Sequence, residues 1–349
     1  MVACLSTQER RALMCWTSGR VVKLGLVLSC LLSTTGRAGA QTPAPGASPP
    51  PTPAQASSPP TTVTSLTVVA PESGEPSYTQ ALDFIQSHGA PARSGQLARW
   101  RDPVCPITMG LSPQVDAWVS RWIVARAARV GAAIPKRGGC RPNIEIVFTS
   151  DPQGVLDFVA KKRDAYLGYH YVAQTKAFST VTRPVEARYL TATRSVAGGE
   201  SFDIAGGSSP SASSFVGDGS LDIAGGSSPS GCAGSSFTRC ISSHFVNVLI
   251  VVDGKALNGR KVAPVADYIA MLALSQARSL EGCGALPSIL DLLSSKCGDR
   301  SAPDAWTGGD TAYLRGLYSA NLEDVMWLEK DTIADRMVKN LAPTTAASK

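Results

Sequence analysis

The sequence predicts an α+β domain with a mixed central sheet, flanking helices and a mostly helical C-terminal part. Three observations predict this fold class. Compact apolar runs at residues 143–148 and 245–252 have the length and β-branched content of buried strands. Helix-start signals at Ser112-Pro113 and Asp151-Pro152 precede and follow the first of these runs. After Pro264 the apolar spacing is helical to the end of the chain.

The first helix is predicted to begin at Ser112, with Pro113 at its first position. Its three arginines lie outside the apolar stripe and are predicted to form a solvated face: Arg121, Arg126 and Arg129. The stripe itself comprises Val115, Trp118, Val119, Trp122 and Ala125.

A strand at 143–148 leads to a helix capped by Asp151, and strands at 188–193 and 245–252 follow. The last of these is apolar enough for a central place in the sheet. The helix after Asp151 carries a predicted apolar face of Val155, Leu156, Phe158 and Val159.

Four helical segments are predicted in the C-terminal part. They are Val265–Arg278, Leu286–Leu293, a helix opened by a capping box at Thr307-Gly-Gly-Asp310, and Leu322–Asn340. Their predicted core residues are Tyr313, Leu314 and Leu317 in the third, and Val325, Met326, Ile333 and Met337 in the last.

Residues 1–40 have the features of a secretory signal peptide. An apolar run at Leu24–Leu32 follows basic residues, and the small residues Ala38-Gly-Ala40 precede Gln41, which predicts cleavage between Ala40 and Gln41. The run is too short to span a bilayer. A membrane anchor or a lipid-modified Cys30 is a weaker interpretation, and the start codon stays open between Met1 and Met14.

Removal of this segment changes the charge of the chain. The formal net charge of +6 falls to +2, because residues 1–40 carry five basic residues and one acid. The mature chain therefore has no basic excess that predicts a nucleic-acid or anionic-membrane partner. We predict a periplasmic or secreted protein with no transmembrane span after cleavage.

The remaining chain divides by composition. Residues 41–77 are rich in Pro, Ala, Ser and Thr and are predicted to be a disordered linker, followed by a single globular domain at 78–341 and a disordered tail at 342–349. A Gly/Ser-rich insertion at about 197–236 contains the repeat Asp203–Ser211, which recurs at 222–230. We predict that this insertion is a flexible loop.

Six cysteines remain after cleavage, and an even number in an oxidising compartment favours disulfides over zinc, since no Cys-x-x-Cys pair exists. Six cysteines allow 15 connectivities. Proximity along the chain favours three pairs: Cys105 with Cys140, Cys232 with Cys240, and Cys283 with Cys297.

No common catalytic or ligand-binding motif is intact. The chain lacks a Gly-x-Ser-x-Gly elbow, a phosphate-binding Gly-x-x-x-x-Gly-Lys loop and a His-x-x-x-His clamp. Its histidines, His88, His170 and His244, lie in separate segments. Asp151 and Asp157 can form a carboxylate pair, but a helix cap and a first-turn acid explain them more simply.

The cluster Arg99-Trp100-Arg101-Asp102-Pro103 has two interpretations. It can dock a partner, or Trp100 can anchor the start of the domain, which we favour.

The order of several short motifs resembles that of a family of exported bacterial proteins for which no activity is established. These motifs are Trp100–Cys105, Gly110-Leu111, Cys140–Asn143 and Phe148–Pro152.

The C-terminal half is also distantly similar in layout to metzincin-type zinc proteases. In those proteins a strand leads to a helix bearing His-Glu-x-x-His, a Met-containing turn and a closing helix. The corresponding segments here are Phe245–Val252, Val265–Arg278, Pro287–Leu290 and the helix after Thr307. Asp267–Met271 stands at the motif position, so both histidines and the glutamate are missing. The resemblance therefore implies a scaffold without zinc or catalytic residues.

We expect an exported cell-envelope protein that binds protein or peptide without catalysis and uses no cofactor or metal. The alternative is a periplasmic hydrolase that uses scattered carboxylates or His170 and His244. It requires these side chains to meet in one cleft. The sequence identifies no ligand or oligomeric state.

Overall fold

A mixed sheet forms the centre of the computed structural model, which describes residues 77–136, 139–195, 199–204, 210–215, 221–225, 241–278, 283–298, 301–322 and 324–341. The strands within these ranges are β1 (Pro106–Met109), β2 (Ile144–Thr149), β3 (Val185–Ser195), β4 (Glu200–Asp203), β5 (Pro210–Phe215), β6 (Leu221–Gly225) and β7 (Ile241–Asp253). Their order is β1-β2-β7-β3-β4-β5-β6, with β1, β2 and β7 parallel and the other pairs antiparallel.

Helices occupy both sides of this sheet. They are α1 (Tyr78–His88), α2 (Pro113–Val130), α3 (Pro152–Lys162), α4 (Thr175–Phe178), α5 (Val262–Leu274), α6 (Gly308–Ser319) and α7 (Met326–Leu341), with 3₁₀ turns at Asp164–Leu167, Val172–Gln174 and Ile289–Leu293. The predicted α+β class, mixed sheet and helical C-terminal part are confirmed.

The larger core lies on one face of the sheet, which we call the major face. Phe245 of β7 packs there with Ile123 of α2, Ile269 of α5 and Tyr313 of α6, all 0–1% exposed. On the opposite, minor face, residues of α3 and the 3₁₀ turn after it cover Leu249 and Val251 of β7. Strand β7 is thus buried on both faces, which explains its nearly continuous apolar sequence and confirms its predicted central place.

The predicted phase of the α2 stripe is wrong in part. The fully buried positions of α2 are Val119, Ile123, Ala127 and Val130, whereas Ala125 is exposed. The buried face is rotated because the neighbouring α5 and α6, and not the local apolar pattern alone, decide which side of α2 is covered. Arg126, predicted to be solvated, lies beside this face and contacts a buried carboxylate.

Two further helix details differ from prediction. Ser112 precedes α2 but makes no side-chain capping hydrogen bond. Of the predicted Ser-Pro start signal, only Pro113 at the first helical position is confirmed. In α3, Asp151 caps Gly154 N–H as predicted, but Phe158 is 41% exposed and Asp157 lies beyond the first turn.

The predicted flexible insertion at 197–236 contains strands, so the loop prediction is wrong for its described residues. Strand β4 pairs with β3, and β5 and β6 extend the sheet as a hairpin. The strands form because β3 is twice the length of an average strand and offers an open edge of hydrogen-bonding groups to the following segment.

In the C-terminal part, α5 ends four residues earlier than predicted, at Leu274, and the short helix is a 3₁₀ turn at Ile289–Leu293. The capping box at Thr307 and Asp310 is confirmed. Ile333 and Met337 of α7 are buried in the core as predicted, and Val325 is buried just before the helix begins. The side chain of Met326 lies outside the described part.

The segment 99–101 runs beside the first half of β7, through a parallel bridge from Arg99 to His244. Trp100 is 3% exposed and donates Nε1–H to the carbonyl of Ala273, so the prediction that it anchors the domain is confirmed. The neighbouring Arg99 is also buried. It donates to the carbonyl oxygens of Leu317 and Ala320 at the end of α6 and pairs with Glu329 of α7.

Two of the predicted disulfides are present, Cys105–Cys140 and Cys283–Cys297. Cys232 and Cys240 lie outside the described residues, as do the signal segment 1–40 with its cleavage site, nearly all of the linker and the tail 342–349. Within the described ranges, every helix is too short or too polar to cross a bilayer.

Gly110 gives a test of the β1–β2 contact. A methyl group there would lie 1.9 Å from the carbonyl oxygen of Phe148, and its φ is +106°. We expect Gly110→Ala to lower the free energy of unfolding by about 2 kcal/mol more than Gly131→Ala in urea denaturation. Gly131 is the matched control, because it has φ +84° but no atom within 4 Å of the added methyl, so its cost is only backbone strain of about 1 kcal/mol. Equal losses would contradict the close approach.

Candidate functional site

Helix α5, which the metzincin-like layout places at the motif position, is buried along its length. Every residue from Pro264 to Leu274 is buried. The helix packs against α2 and the 3₁₀ turn at Ile289–Leu293, and its residues contribute to the major core. Within the described part of the chain, the side chains from Pro264 to Leu274 are therefore enclosed by packed elements and do not face solvent.

Asp267, the polar residue at the motif position, forms a buried ion-pair centre. Its Oδ1 accepts Trp122 Nε1–H at 2.6 Å and Arg126 Nε–H at 2.7 Å. Its Oδ2 accepts Arg126 Nη2–H at 2.6 Å and the backbone N–H of Trp306 at 3.1 Å. The backbone carbonyl of Asp267 accepts Trp306 Nε1–H at 2.8 Å. We call these four residues, Trp122, Arg126, Asp267 and Trp306, the Asp267 centre.

This arrangement determines what Asp267 can do. A carboxylate has about four acceptor positions, and all four are used here. The guanidinium of Arg126 also lies over the rings of Trp122 and Trp306, at 4.8 and 5.1 Å from their centroids. The carboxylate is therefore committed to a structural ion pair. The sequence contained a signal of it, since Trp122 and Arg126 are four residues apart on one helix face, but their partner is 141 residues from Arg126.

The three histidines have separate surroundings among the described residues. His88 donates Nδ1–H to the carbonyl of Phe84 at 2.8 Å, and burial lowers its pKa. His170 donates Nδ1–H to the carbonyl of Gly168 at 2.7 Å and contacts Thr175. Among the described residues, His170 and His244 have different hydrogen-bond partners and do not contact each other. The hydrolase interpretation needs the two side chains in one cleft, and no direct contact brings them together.

His244 has a carboxylate partner on the minor face. Its Nε2–H donates to Glu200 Oε1 at 2.8 Å, and Arg194 donates to Glu200 Oε2 at 3.0 Å. The hydrogen bond from His244 lowers the pKa of Glu200 to about 2. Strand pairing causes this meeting, because Glu200 lies opposite Arg194 on β3 and diagonal to His244 on β7. Sequence reasoning missed it because Glu200 fell in the predicted loop.

A β-bulge places a second polar residue on the same face. The register of β3 and β7 shifts at Leu190/Thr191, so Val246 is the extra residue and Asn247 follows on the minor face. Asn247 Nδ2–H donates to Glu145 at 3.4 Å, and burial raises the pKa of Glu145. His244 and Asn247 are both buried, at 4% exposure, and His244 Nδ1 and Asn247 Oδ1 have no hydrogen-bond partner among the described residues. Buried polar atoms normally have a partner, and an internal water can supply one.

A surface pocket lies next to the Asp267 centre. It has a volume of about 180 Å³ and is formed by the last turn of α2, the first two turns of α6 with the residues just before them, and the end of α7. Arg129 and Arg315 line it together with Asn340, Thr311 and Trp306, and none of the described residues in the lining is acidic. We call it the arginine pocket.

Cys283, Asp291 and Cys297 bring sulfur and carboxylate atoms within 4.8 Å of one another. Both sulfur atoms are bonded to each other in the disulfide, whereas a metal binds the free thiolate. The carboxylate of Asp291 accepts the backbone N–H of Ser288 and closes the 3₁₀ turn. The group is therefore structural in this oxidised form.

Comparisons with protein-family models, with curated proteins and with solved structures found no match. The resemblances to exported bacterial proteins and to metzincins stay predictions from the sequence.

The Asp267 centre predicts a large loss of stability for Asp267→Asn. Removal of the charge leaves Arg126 buried without a counter-ion, and breaking a buried pair in this way costs about 3 kcal/mol. Urea denaturation measures the change. Asp157→Asn, at an exposed carboxylate that accepts only Gln153 Nε2–H, is the matched control and should change the free energy of unfolding by less than about 0.5 kcal/mol. Similar values for the two variants would show that the centre contributes little.

The Glu200 pair predicts an acid-dependent loss of stability. A carboxyl whose pKa falls from 4.5 to about 2 on folding stabilises the folded state fully above pH 4.5, and this contribution is lost as the pH falls towards 2. Glu200→Gln removes the titrating group. Between pH 5 and pH 2.5 the parent chain should therefore lose about 1 kcal/mol more stability than the variant, a magnitude reduced for solvent screening. Thermal unfolding across this range measures it, and parallel pH profiles would contradict the pair.

Proposed function

We propose that the protein is an extracytoplasmic binding domain that acts without catalysis and holds a protein or peptide ligand through a carboxylate group. The observation that carries the proposal is the arginine pocket, whose lining includes Arg129 and Arg315 and, among the described residues, no acidic side chain. Export, in the periplasm or outside the cell, is part of the same proposal. Two disulfides support an oxidising compartment.

The chemistry of the pocket fits a carboxylate. Guanidinium groups present planar pairs of N–H donors that match the two oxygens of a carboxylate. Arg315 donates Nε–H to the carbonyl of Arg129 at 3.3 Å, which brings the two side chains to the same opening. Asn340 and Trp306 line the same opening. A volume of about 180 Å³ accommodates a carboxylate with a small side chain, as at a peptide C terminus.

The Asp267 centre supports the binding role by holding the pocket in shape. Trp306 donates both its backbone N–H and its Nε1–H to Asp267, so its ring has a fixed orientation at the pocket. A rigid ring reduces the entropy that a ligand loses on binding.

The alternative, a periplasmic hydrolase, has one observation in its favour. The His244–Glu200 hydrogen bond is the arrangement that a general base needs. However, His244 is 4% exposed, and a catalytic base must touch its substrate. Retention of any hydrolase activity by His244→Gln would exclude this residue from the reaction.

Peptide pools test the carboxylate proposal. The probes are hexapeptides randomised over Ala, Gly, Leu and Ser, labelled with an uncharged fluorophore that has no carboxylate, with either a free or an amidated C terminus. We expect the free-acid pool to bind and the amidated pool to bind at least about tenfold more weakly, because a charge-assisted hydrogen bond contributes about 1.5 kcal/mol or more. Fluorescence anisotropy measures both.

Variants assign the binding to the pocket. Arg129→Ala and Arg315→Ala should each weaken binding of the free-acid pool about tenfold. Arg121→Ala removes an exposed arginine from the same helix outside the pocket lining and should leave binding unchanged. Equal binding of the two pools, or equal loss with Arg121→Ala, would overturn the proposal.

A further inference from the structure

The chain contains two copies of one strand sequence. Copy 1, residues 201–211, reads Ser-Phe-Asp-Ile-Ala-Gly-Gly-Ser-Ser-Pro-Ser, and copy 2, residues 220–230, differs from it only by Leu221 in place of Phe202. Copy 1 contributes β4, which pairs directly with β3. Copy 2 contributes β6, which is separated from β4 by β5.

Two contacts that hold copy 1 on β3 use residues that both copies share. Asp203 lies opposite Thr191 and accepts its Oγ1–H at 2.6 Å. Ile204 is 8% exposed and packs with Leu190 and Ala165. Copy 2 has Asp222 and Ile223 at the equivalent positions. Strand β3 therefore has two segments with nearly the same ability to pair with it.

We propose that copy 2 exchanges with copy 1 as the strand beside β3 within a single molecule, so that the domain has two alternative sheet registers. Gly-rich strands specify their pairing weakly, which favours such exchange. The two registers differ by 19 residues in the chain.

The connecting segments allow both registers. With copy 1 in place, five residues join Ser195 to the strand and 29 join the strand to Ile241. With copy 2 in place, the corresponding lengths are 24 and ten residues. The entropy lost on closing a loop grows only with the logarithm of the loop length. Loop lengths alone therefore change the ratio of the two registers by only roughly twofold. The side chains that differ between the copies therefore decide the preference.

The exchange changes the charge next to His244. Glu200 immediately precedes copy 1, and Gly219 stands at the equivalent position before copy 2. In the copy 2 register, His244 and Arg194 lose the carboxylate that they share in the copy 1 register. The Glu200 pair therefore favours copy 1, and the exchange converts a compensated site on the minor face into a site with free positive charge.

Cysteine pairs test the exchange directly. Thr193 lies opposite Ser201, so T193C with S201C should form a disulfide that reports the copy 1 register. T193C with S220C should also form one, in the monomer band of a non-reducing gel, if copy 2 takes the same place. T193C with S214C is the matched control, because Ser214 occupies no equivalent repeat position. Peptide mass spectrometry identifies each crosslink. A T193C–S220C yield no higher than the control, or one confined to dimers, would overturn the proposal.

Stability provides a second measurement that is independent of new cysteines. Ile204→Lys and Ile223→Lys each disable one copy by placing a charge where the strand packs on β3. Exchange predicts that each single variant keeps a melting temperature within a few degrees of the parent, whereas the double variant loses far more than the sum of the two losses. If Ile204→Lys alone lowers the melting temperature as much as the double variant, copy 2 does not substitute and the proposal is wrong.

Discussion

The buried charge of Asp267 constrains the helical layer on the major face of the sheet. A carboxylate that is 1% exposed is strongly destabilising unless it is paired and hydrogen-bonded, so α2 and the segment before α6 must bring Arg126, Trp122 and Trp306 to α5. Each of the four hydrogen bonds to the carboxylate comes from a different donor atom of α2 or of Trp306. Together they limit how far α2 can slide along α5. The same contacts orient Trp306 at the arginine pocket, so the core and the surface feature depend on one interaction.

The sequence was informative where a signal is local. The apolar run of β7, the Asp-Pro start of α3 and the capping box at Thr307 each depend on residues within one turn or strand, and all three were predicted. The burial of Arg126 depends on Asp267, 141 residues away, and only the packed helices reveal which face of α2 is covered. The strands in the Gly/Ser-rich insertion form for a similar reason, since the edge of β3 supplies hydrogen-bonding partners that composition does not show.

The candidate sites differ in how far sequence could find them. His244 precedes the strand predicted at 245–252, and Asn247 is a polar residue within it. An alternating strand pattern places residues three apart on opposite faces. The bulge at Val246 puts both side chains on the minor face, and strand pairing, not the local sequence, decides where a bulge forms. The arginine pocket combines the ends of three helices that are distant in sequence, so no spacing rule predicts it. Local patterns predicted individual helices and strands, and they missed the sites formed where several of these elements come together.

The two disulfides connect the proposed location of the protein with its proposed role. Cys105–Cys140 joins the chain before β1 to the chain before β2 and so encloses all of α2, which ends with Arg129 in its last turn. Cys283–Cys297 closes the segment around the 3₁₀ turn that precedes Trp306 and α6. The first bond restricts the unfolded chain around Arg129 of the arginine pocket, and the second restricts the chain shortly before Trp306. In a reducing compartment both restraints would be lost, and these segments would be held by the packed core and the Asp267 centre. An oxidising environment is therefore the one in which the covalent restraints and the core act together.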